Sequence, residues 1–398
     1  MKISNLRKVI TDAHAILEAD IECSFSKSST ILFKVPVQYS EWLTDDVYDA
    51  LLVGMIWPAM CYGEDIEIDG VVSKSIYFHI TSYLIPLLKQ FRPHYQVIDV
   101  KVKGFKDALQ DNEIKVVGTG FSGGIDSFTT IYDKYENEPD PEYKINTLFF
   151  FNIGQNGRID DPETPKRTRD RYEIGNSFCK EIGLPYVFLD SNLFEFMKPH
   201  WEYDAGALCR ACAILVFQRV IRIYYLSSSF QYLEKNQFDK YSTLEQLADS
   251  FIYYWLSTKN TQIILDGGQY TRVQKIDRIK DYKYLRKHLN VCVNNSIDVR
   301  KDKNCSICHK CCRTLLPLES LGILNEFKGV FDINKYKKKS WQFKCIEVVN
   351  YVKQPYSREN VDFAKAHGIT MPSRPIAYIY NIVYKVKEKI GRILQGSK

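Results

Sequence analysis

The sequence has no uninterrupted run of roughly 18 apolar residues, so it does not predict a membrane-spanning helix. No apolar stretch with a small-residue cleavage site follows the N-terminus, and we therefore do not expect secretion. Positive charge is only in slight excess over negative charge, because the formal net charge is +6 over 398 residues, and no dense Lys/Arg stretch occurs. A nucleic-acid or anion partner is thus permitted but not required. Together these features predict a cytoplasmic protein.

Composition and length predict a multidomain globular chain. Hydrophobic residues make up 45% and charged residues 26%, which supplies ample material for a core. A length of 398 residues exceeds the usual size of one domain. We predict an N-terminal mixed α/β domain at 1–112, a second α/β domain with a cysteine cluster at 113–315, and a helical C-terminal extension at 316–398.

The central segment alternates between apolar strands and helical stretches. The predicted strands lie at 115–120, 146–152, 186–190, 221–226 and 261–265. Strands separated by helices favour a parallel five-stranded sheet with helices on both faces, a Rossmann-like α/β fold. A last helix at 376–394 is amphipathic and basic; packing of one face on its own domain is favoured over binding to a membrane or nucleic acid.

The first motif is the string Ser122-Gly123-Gly124-Ile125-Asp126-Ser127, between a predicted strand and a predicted helix. The two glycines allow backbone N–H groups to approach an anion, and the helix start favours negative charge. The serines add hydroxyl donors, and Asp126 is a candidate ligand for a divalent cation such as Mg²⁺. An ordinary glycine-rich turn with a helix cap is the alternative. The string matches neither GxxxxGK[ST] nor GxGxxG.

The second motif is a group of four cysteines that comprises Cys292, Cys305, Cys308 and Cys311. Two overlapping CxxC steps form a tight turn, and four thiolates satisfy the tetrahedral preference of Zn²⁺. An iron–sulfur cluster, CxxC redox chemistry and unligated cysteines are the alternatives. Neither Cys312 nor His309 is expected to be a ligand, whereas Asn304 and Lys310 are candidates for polar support of the sulfurs.

With its SGGxDS string, the chain resembles the PP-loop ATP pyrophosphatase superfamily over roughly residues 114–315. The resemblance implies an adenine-nucleotide α-hydrolase-like fold, binding of ATP through its pyrophosphate portion, and attack of a substrate oxygen on the α-phosphate. Ser122, Gly123, Gly124, Asp126 and Ser127 are then the nucleotide-binding residues.

Within that superfamily the chain resembles the 7-cyano-7-deazaguanine synthase family, which carries one Cys followed by CxxCxxC. Further matching positions are Asn152, Gly154 and Gln155 after the second strand, Arg210 near a helix start, and Arg272 and Lys275 in a segment similar to Thr-Lys-Ala-Glu-Ile. The resemblance implies that Asp126, Lys275 and Arg210 are catalytic, and that Asn152, Gly154, Gln155 and Arg272 bind the nucleotide. The spacing between Cys292 and Cys305 is longer than in that family.

The implied function is an ATP-dependent carbon–nitrogen ligase that forms AMP and pyrophosphate, with ATP, Mg²⁺ and Zn²⁺ as cofactors. The implied partners are a small molecule, such as a deazapurine acid, and ammonia or an amine as nitrogen donor. A specialised modification or defence pathway, a homodimer, and a protein partner for residues 1–112 are further hypotheses. The competing functions are a PP-loop tRNA-thiolating enzyme and a non-catalytic nucleotide-binding partner protein.

Overall fold

The computed structural model describes residues 1–106, 113–154, 156, 162–197, 205–232, 252–294 and 303–395. The chain folds into two compact units. The first unit comprises Met1–Ser122 and Asp133–Gly268, and the second comprises Gly123–Tyr132 and Gln269–Lys398. These units do not follow the three segments predicted from the sequence, whose boundaries stay predictions.

The first unit contains one large mixed sheet. Its strands are β1 (Lys2–Ile10), β2 (His14–Glu22), β3 (Thr30–Pro36), β4 (Ile66–Val72), β5 (Val100–Phe105), β6 (Val116–Gly120), β7 (Thr147–Asn152), β8 (Tyr186–Ser191), β9 (Ile221–Ser227) and β10 (Gln262–Asp266). The strand order is β10-β9-β6-β7-β8-β3-β2-β1-β4-β5. The α/β class predicted from the sequence is therefore confirmed.

The prediction of a parallel five-stranded sheet is wrong. The five predicted strands correspond to β6 to β10, which pair in parallel with one another. However, β3 pairs antiparallel with β8, with Phe33 opposite Ser191, and so continues the sheet through the N-terminal strands. A strand at the edge of a sheet has unpaired backbone N–H and C=O groups, and β3 satisfies those of β8. Strands β1 and β2 were not predicted from the sequence either.

The helices of the first unit cover its sheet. They are α1 (Asp49–Tyr62), α2 (Lys74–His79), α3 (Ile85–Phe91), α5 (Thr164–Ile182), α6 (Leu193–Met197), α7 (Ala205–Leu215) and α8 (Tyr253–Trp255); α4 (Ile125–Ile131) belongs to the second unit. Helix α1 is apolar on all sides and buried, as expected of a helix inside a core. The sequence also predicts a helix at 244–257, most of which falls outside the described residues.

The second unit is helical where the structure describes it. Its helices are α4 (Ile125–Ile131), α9 (Arg272–Ile279), α10 (Leu285–His288), α11 (His309–Ser320), α12 (Ile333–Asn350), α13 (Pro355–Ala366) and α14 (Arg374–Gln395). One face of α14 packs on α12, with Ala377 fully buried, while Ile379 is 63% and Ile382 62% exposed. Among the described residues, no helix combines the length and apolarity that crossing a membrane requires.

Candidate functional site

The glycine turn ahead of α4 depends on the absence of a side chain at Gly123. Its φ of +75° lies in the left-handed region, where glycine is favoured. A Cβ placed there would lie 3.3 Å from Cβ of Asn290, and the backbone N–H of Asn290 donates to the carbonyl of Gly123 at 2.7 Å. Gly124 then caps α4 with extended backbone angles. The glycines therefore serve a tight, packed bend, in agreement with the sequence prediction of a turn.

The two serines of the motif have different environments. Ser127 is 3% exposed, and its hydroxyl donates to the carbonyl of Gly124 at 3.0 Å, which closes the first turn of α4. Ser122 is exposed and belongs to the first unit. The hydroxyl of Ser127 thus acts as a local helix contact, and its role as a phosphate donor stays a prediction.

Asp126 is the centre of a buried charge cluster in the second unit. Nη1 of Arg272 donates to its Oδ2 at 2.9 Å, and Nζ of Lys275 donates to its Oδ1 at 3.1 Å. The exposed fraction of the side chain is 7% for Arg272, 1% for Lys275 and 20% for Asp126. Three residues predicted separately from two sequence segments therefore meet in one contact.

Local sequence explains why both cations face Asp126. Thr271 and Gln274 form a capping box: the Thr271 hydroxyl accepts from N of Gln274 at 3.2 Å, and Oε1 of Gln274 accepts from N of Thr271 at 2.8 Å. This fixes the first turn of α9, whose residues Arg272 and Lys275 are three positions apart and share a helix face. The backbone N–H of Arg272, in the same first turn, donates to Oε2 of Glu359 on α13 at 3.1 Å.

The electrostatics of the cluster favour an ionised carboxylate. Burial alone would raise the pKa of Asp126, but the charges of Arg272 and Lys275, with a smaller contribution from Arg313, lower it to about 2. Burial lowers the pKa of Arg313, and the nearby charge of Arg272 lowers it further. The cluster therefore holds three cationic side chains around one carboxylate.

Three residues around this cluster were not predicted from the sequence. Arg313 lies on α11 beside Tyr356 of α13, and Glu359 follows Tyr356 by one helical turn. In the sequence, the position of Arg313 two residues after Cys311 was an available signal. Neither Tyr356 nor Glu359 carries a local signal, because their relevance depends on how α13 packs in the second unit.

The four predicted metal ligands converge in the second unit. Their Sγ atoms all lie within 4.8 Å of one another. The sulfurs of Cys292 and Cys308 are 3.9 Å apart, those of Cys305 and Cys311 3.9 Å, and those of Cys308 and Cys311 3.4 Å. Four sulfurs at about 2.3 Å from Zn²⁺ would be about 3.8 Å apart, so the arrangement fits a tetrahedral metal site. A metal such as zinc can be bound here.

Backbone N–H groups surround these sulfurs. The N–H of Cys308 donates to Sγ of Cys305 at 3.2 Å, and the N–H groups of Cys305 and Asn294 donate to Sγ of Cys292 at 3.4 Å. Backbone N–H donors of this kind stabilise thiolate, the form that binds metal. Contacts with the sulfurs of Cys292 and Cys311 lower the pKa of Cys308. Cys312 lies outside the group, as predicted, with Sγ near the carbonyl of Ser306.

Asn304 supports the cluster differently from the prediction. Its Oδ1 accepts from the backbone N–H groups of Val291 and Cys292, and its Nδ2 donates to the carbonyls of Leu289 and Val330. Its side chain thus forms hydrogen bonds with backbone groups and not with the sulfurs. It fixes the backbone around Cys292, the first ligand. The physical reason is that four buried backbone groups need partners there.

The other predicted site residues belong to the first unit. Nδ2 of Asn152 donates to Oδ1 of Asp190 at 2.8 Å, which links the ends of β7 and β8. Gly154 has a φ of +112°, and a Cβ there would lie 2.5 Å from Cδ2 of Phe194. Nε of Arg210 donates to the hydroxyl of Tyr253 at 3.1 Å. Gln155 lies outside the described residues. The functional roles of these residues stay predictions.

Comparison with known proteins gives no family assignment. No protein-family model, curated protein or solved structure matches this chain. The resemblance to PP-loop enzymes therefore rests on sequence motifs such as the SGGxDS string and the spacing of the four cysteines.

Proposed function

We propose that this protein is a cytoplasmic ATP-dependent enzyme that forms AMP and pyrophosphate, as the PP-loop family it resembles does. A carboxylate or carbonyl oxygen of the substrate attacks the α-phosphorus, and the bond to the bridging oxygen breaks to release pyrophosphate. Ammonia or an amine then attacks the activated carbon and AMP leaves, while the nitrogen loses a proton to solvent. The product is a new carbon–nitrogen bond, as in the 7-cyano-7-deazaguanine synthase family.

The observation that supports this proposal best is the contact between Asp126 and the pair Arg272 and Lys275. The first residue comes from the SGGxDS string, and the other two come from the segment that was matched independently to the same family. Separate motif matches that coincide by chance have no reason to meet in the folded chain. Their meeting at a buried, hydrogen-bonded cluster is expected if both belong to one site.

The cations suit the charge that develops on a departing pyrophosphate. Lys275 is 1% exposed and held at 3.1 Å from Asp126, so its position is fixed by contacts within the fold. Preorganised donors of this kind stabilise transition-state charge, and removal of one typically costs about 3 kcal/mol of barrier. The charge cluster therefore supplies anion stabilisation without a large rearrangement of solvent.

The two predicted metals have different support. Four cysteines that close a tetrahedron leave no open position, so Zn²⁺ there would stabilise the fold and would not take part in the reaction. Both carboxylate oxygens of Asp126 accept hydrogen bonds from cations, one from Arg272 and one from Lys275. We therefore assign anion binding to the cationic side chains and derive no step from Mg²⁺.

The tRNA-thiolating alternative would use a catalytic cysteine or an iron–sulfur cluster. Burial raises the pKa of Cys209 and of Cys312 to about 12, which keeps both thiols protonated and unreactive near neutral pH. The four cysteines of the cluster are committed to a metal-like arrangement. Cys209 and Cys312 are therefore unsuited to act as the catalytic cysteine of a sulfur-transfer reaction.

The test is a product analysis with ATP labelled at the α-phosphate. The purified protein is incubated with ATP, ammonium and candidate deazapurine acids, and nucleotide products are separated by chromatography. Label in AMP, with an equal amount of pyrophosphate, is expected. Label in ADP with release of inorganic phosphate would refute cleavage at the α-phosphate. A protein without iron absorbance near 400 nm and with stoichiometric zinc would further distinguish the ligase from an iron–sulfur thiolating enzyme.

A further inference from the structure

Arg313 is a half-buried cation that forms no salt bridge with a carboxylate among the described residues. Its guanidinium lies over the ring of Tyr356, with Cζ 4.1 Å from the ring centroid. Its Nε is buried and has no hydrogen-bond partner within the described part of the chain. A buried charged donor that lacks a partner is unfavourable, so its position calls for a ligand.

Stacking on an aromatic ring leaves an arginine available for anions. The ring of Tyr356 covers one face of the guanidinium plane, whereas the N–H donors of Arg313 point outward within that plane. The contact therefore orients the side chain without occupying its hydrogen bonds. Planar N–H pairs of this kind match the oxygen spacing of a phosphate group.

Arg272, on helix α9, also has a buried Nε without a hydrogen-bond partner among the described residues. It is 7% exposed, and one of its terminal nitrogens binds Asp126. Arg313 lies close enough for its charge to act on Asp126 as well. Two guanidinium groups, on α9 and α11, thus each keep a buried donor unused beside the same carboxylate.

We infer that Arg313 and Arg272 form a paired guanidinium site for the phosphate chain of the nucleotide, with Tyr356 as the positioning residue for Arg313. The inference rests on the proposed function for the identity of the anion as a nucleotide polyphosphate. It places helix α13, which lies in the predicted helical C-terminal extension, in direct support of the site. Glu359 of the same helix binds the backbone N–H of Arg272, so α13 holds both arginines.

The test is the affinity of the full-length protein for inorganic pyrophosphate, ATP and AMP, measured by isothermal titration calorimetry. Arg313→Gln should weaken pyrophosphate and ATP binding by about tenfold to hundredfold, the range for a hydrogen bond to a charged group. AMP, which lacks the outer phosphates, should bind more weakly to the wild type and change less. Arg313→Lys should restore part of the affinity, because it keeps the charge but loses the planar donors.

The matched control is Arg374→Gln. Arg374 also lies over a tyrosine of this unit, with Cζ 5.9 Å from the ring centroid of Tyr351, but it is exposed. This variant should bind pyrophosphate as the wild type does. Tyr356→Phe keeps the stacking surface and should retain affinity, whereas Tyr356→Leu should lose it. Thermal unfolding of every variant checks that the fold is kept.

The outcomes separate this inference from the proposed function. If the wild type forms AMP and pyrophosphate but Arg313→Gln and Arg313→Lys both bind pyrophosphate as the wild type does, the inference is overturned and the function stands. If the wild type binds pyrophosphate through Arg313 but yields only ADP, the anion site stands and the function is overturned. If the wild type binds neither ATP nor pyrophosphate, both are overturned.

Discussion

Lys275 and Asp126 form a buried ion pair, with Nζ 3.1 Å from Oδ1, although 149 positions separate them in the sequence. Arg272 binds the other oxygen of the same carboxylate. A single carboxylate therefore holds two buried cations in place. The arrangement has consequences for stability, for pH dependence and for the design of mutants.

Asp126→Asn should destabilise the protein and increase its response to anions. The substitution leaves Arg272 and Lys275 buried without a counter-charge, which typically costs about 3–5 kcal/mol. Added pyrophosphate should recover much of that loss by replacing the missing charge. Urea unfolding with and without pyrophosphate measures both effects. Asp277→Asn, which affects an exposed pair with Lys280, is the control and should change little. Unchanged stability of Asp126→Asn would contradict the role of the carboxylate as the counter-charge.

Stability should fall in acid because of Asp126. Its pKa is lowered from 3.8 to about 2 on folding, so it stabilises the folded state fully above the unfolded-state pKa near 4. That contribution, about 2 kcal/mol at ~1.4 kcal/mol per pKa unit, is lost as the pH falls from about 4 through about 2. The difference in unfolding free energy between wild type and Asp126→Asn should therefore shrink below pH 4. A constant difference down to pH 2 would show that Asp126 does not titrate in this way.

Lys275→Gln should reduce AMP formation by about 100-fold or more, since a preorganised donor to the leaving group is removed. Asp126 keeps its contact with Arg272 in this variant, so we expect a folded protein with normal circular dichroism. The control is Lys280→Gln, next to the end of the same helix and paired with Asp277 at the surface, with activity near that of the wild type. Equal rates in both variants would remove Lys275 from the reaction.

Cys305→Ala should lower both zinc content and stability, because one of four converging thiolates is lost. Cys312→Ala is a stringent control, since Cys312 is 1% exposed and adjacent in sequence to the ligand Cys311 but lies outside the group. It should keep one zinc ion per chain. Zinc released by a thiol reagent and detected with a colorimetric chelator measures the difference. A fully loaded Cys305→Ala variant would refute the ligand assignment.

Much of the central sheet could be predicted from the sequence. Strand β7 is a continuous apolar run, and it is buried as a parallel strand should be. Strands β1 and β2 were missed, because their alternation of apolar and polar residues includes charged positions such as Lys8 and Asp20 and is weak as a local signal. The pairing of β3 with β8 joins segments about 160 positions apart, and no local pattern encodes it.

The residues of the candidate site were likewise only partly predictable from the sequence. Gly123 and the four cysteines could be identified from the sequence, because the bend and the metal-ligand spacing are properties of short segments. Arg272 and Lys275 entered only through a family resemblance, and Arg313 was not singled out. Whether a cation is buried beside a carboxylate or solvated at the surface depends on packing between helices.

The sequence by itself determined the strand–turn–helix order around Gly123 and the spacing that lets four thiols converge, since steric limits and backbone hydrogen bonds act over a few residues. Only the tertiary structure decided that Asp126 meets Arg272 and Lys275 and that Arg313 lies over Tyr356. Those contacts join α4, α9, α11 and α13, and their energies depend on desolvation and charge at a shared buried position that forms only when the helices pack.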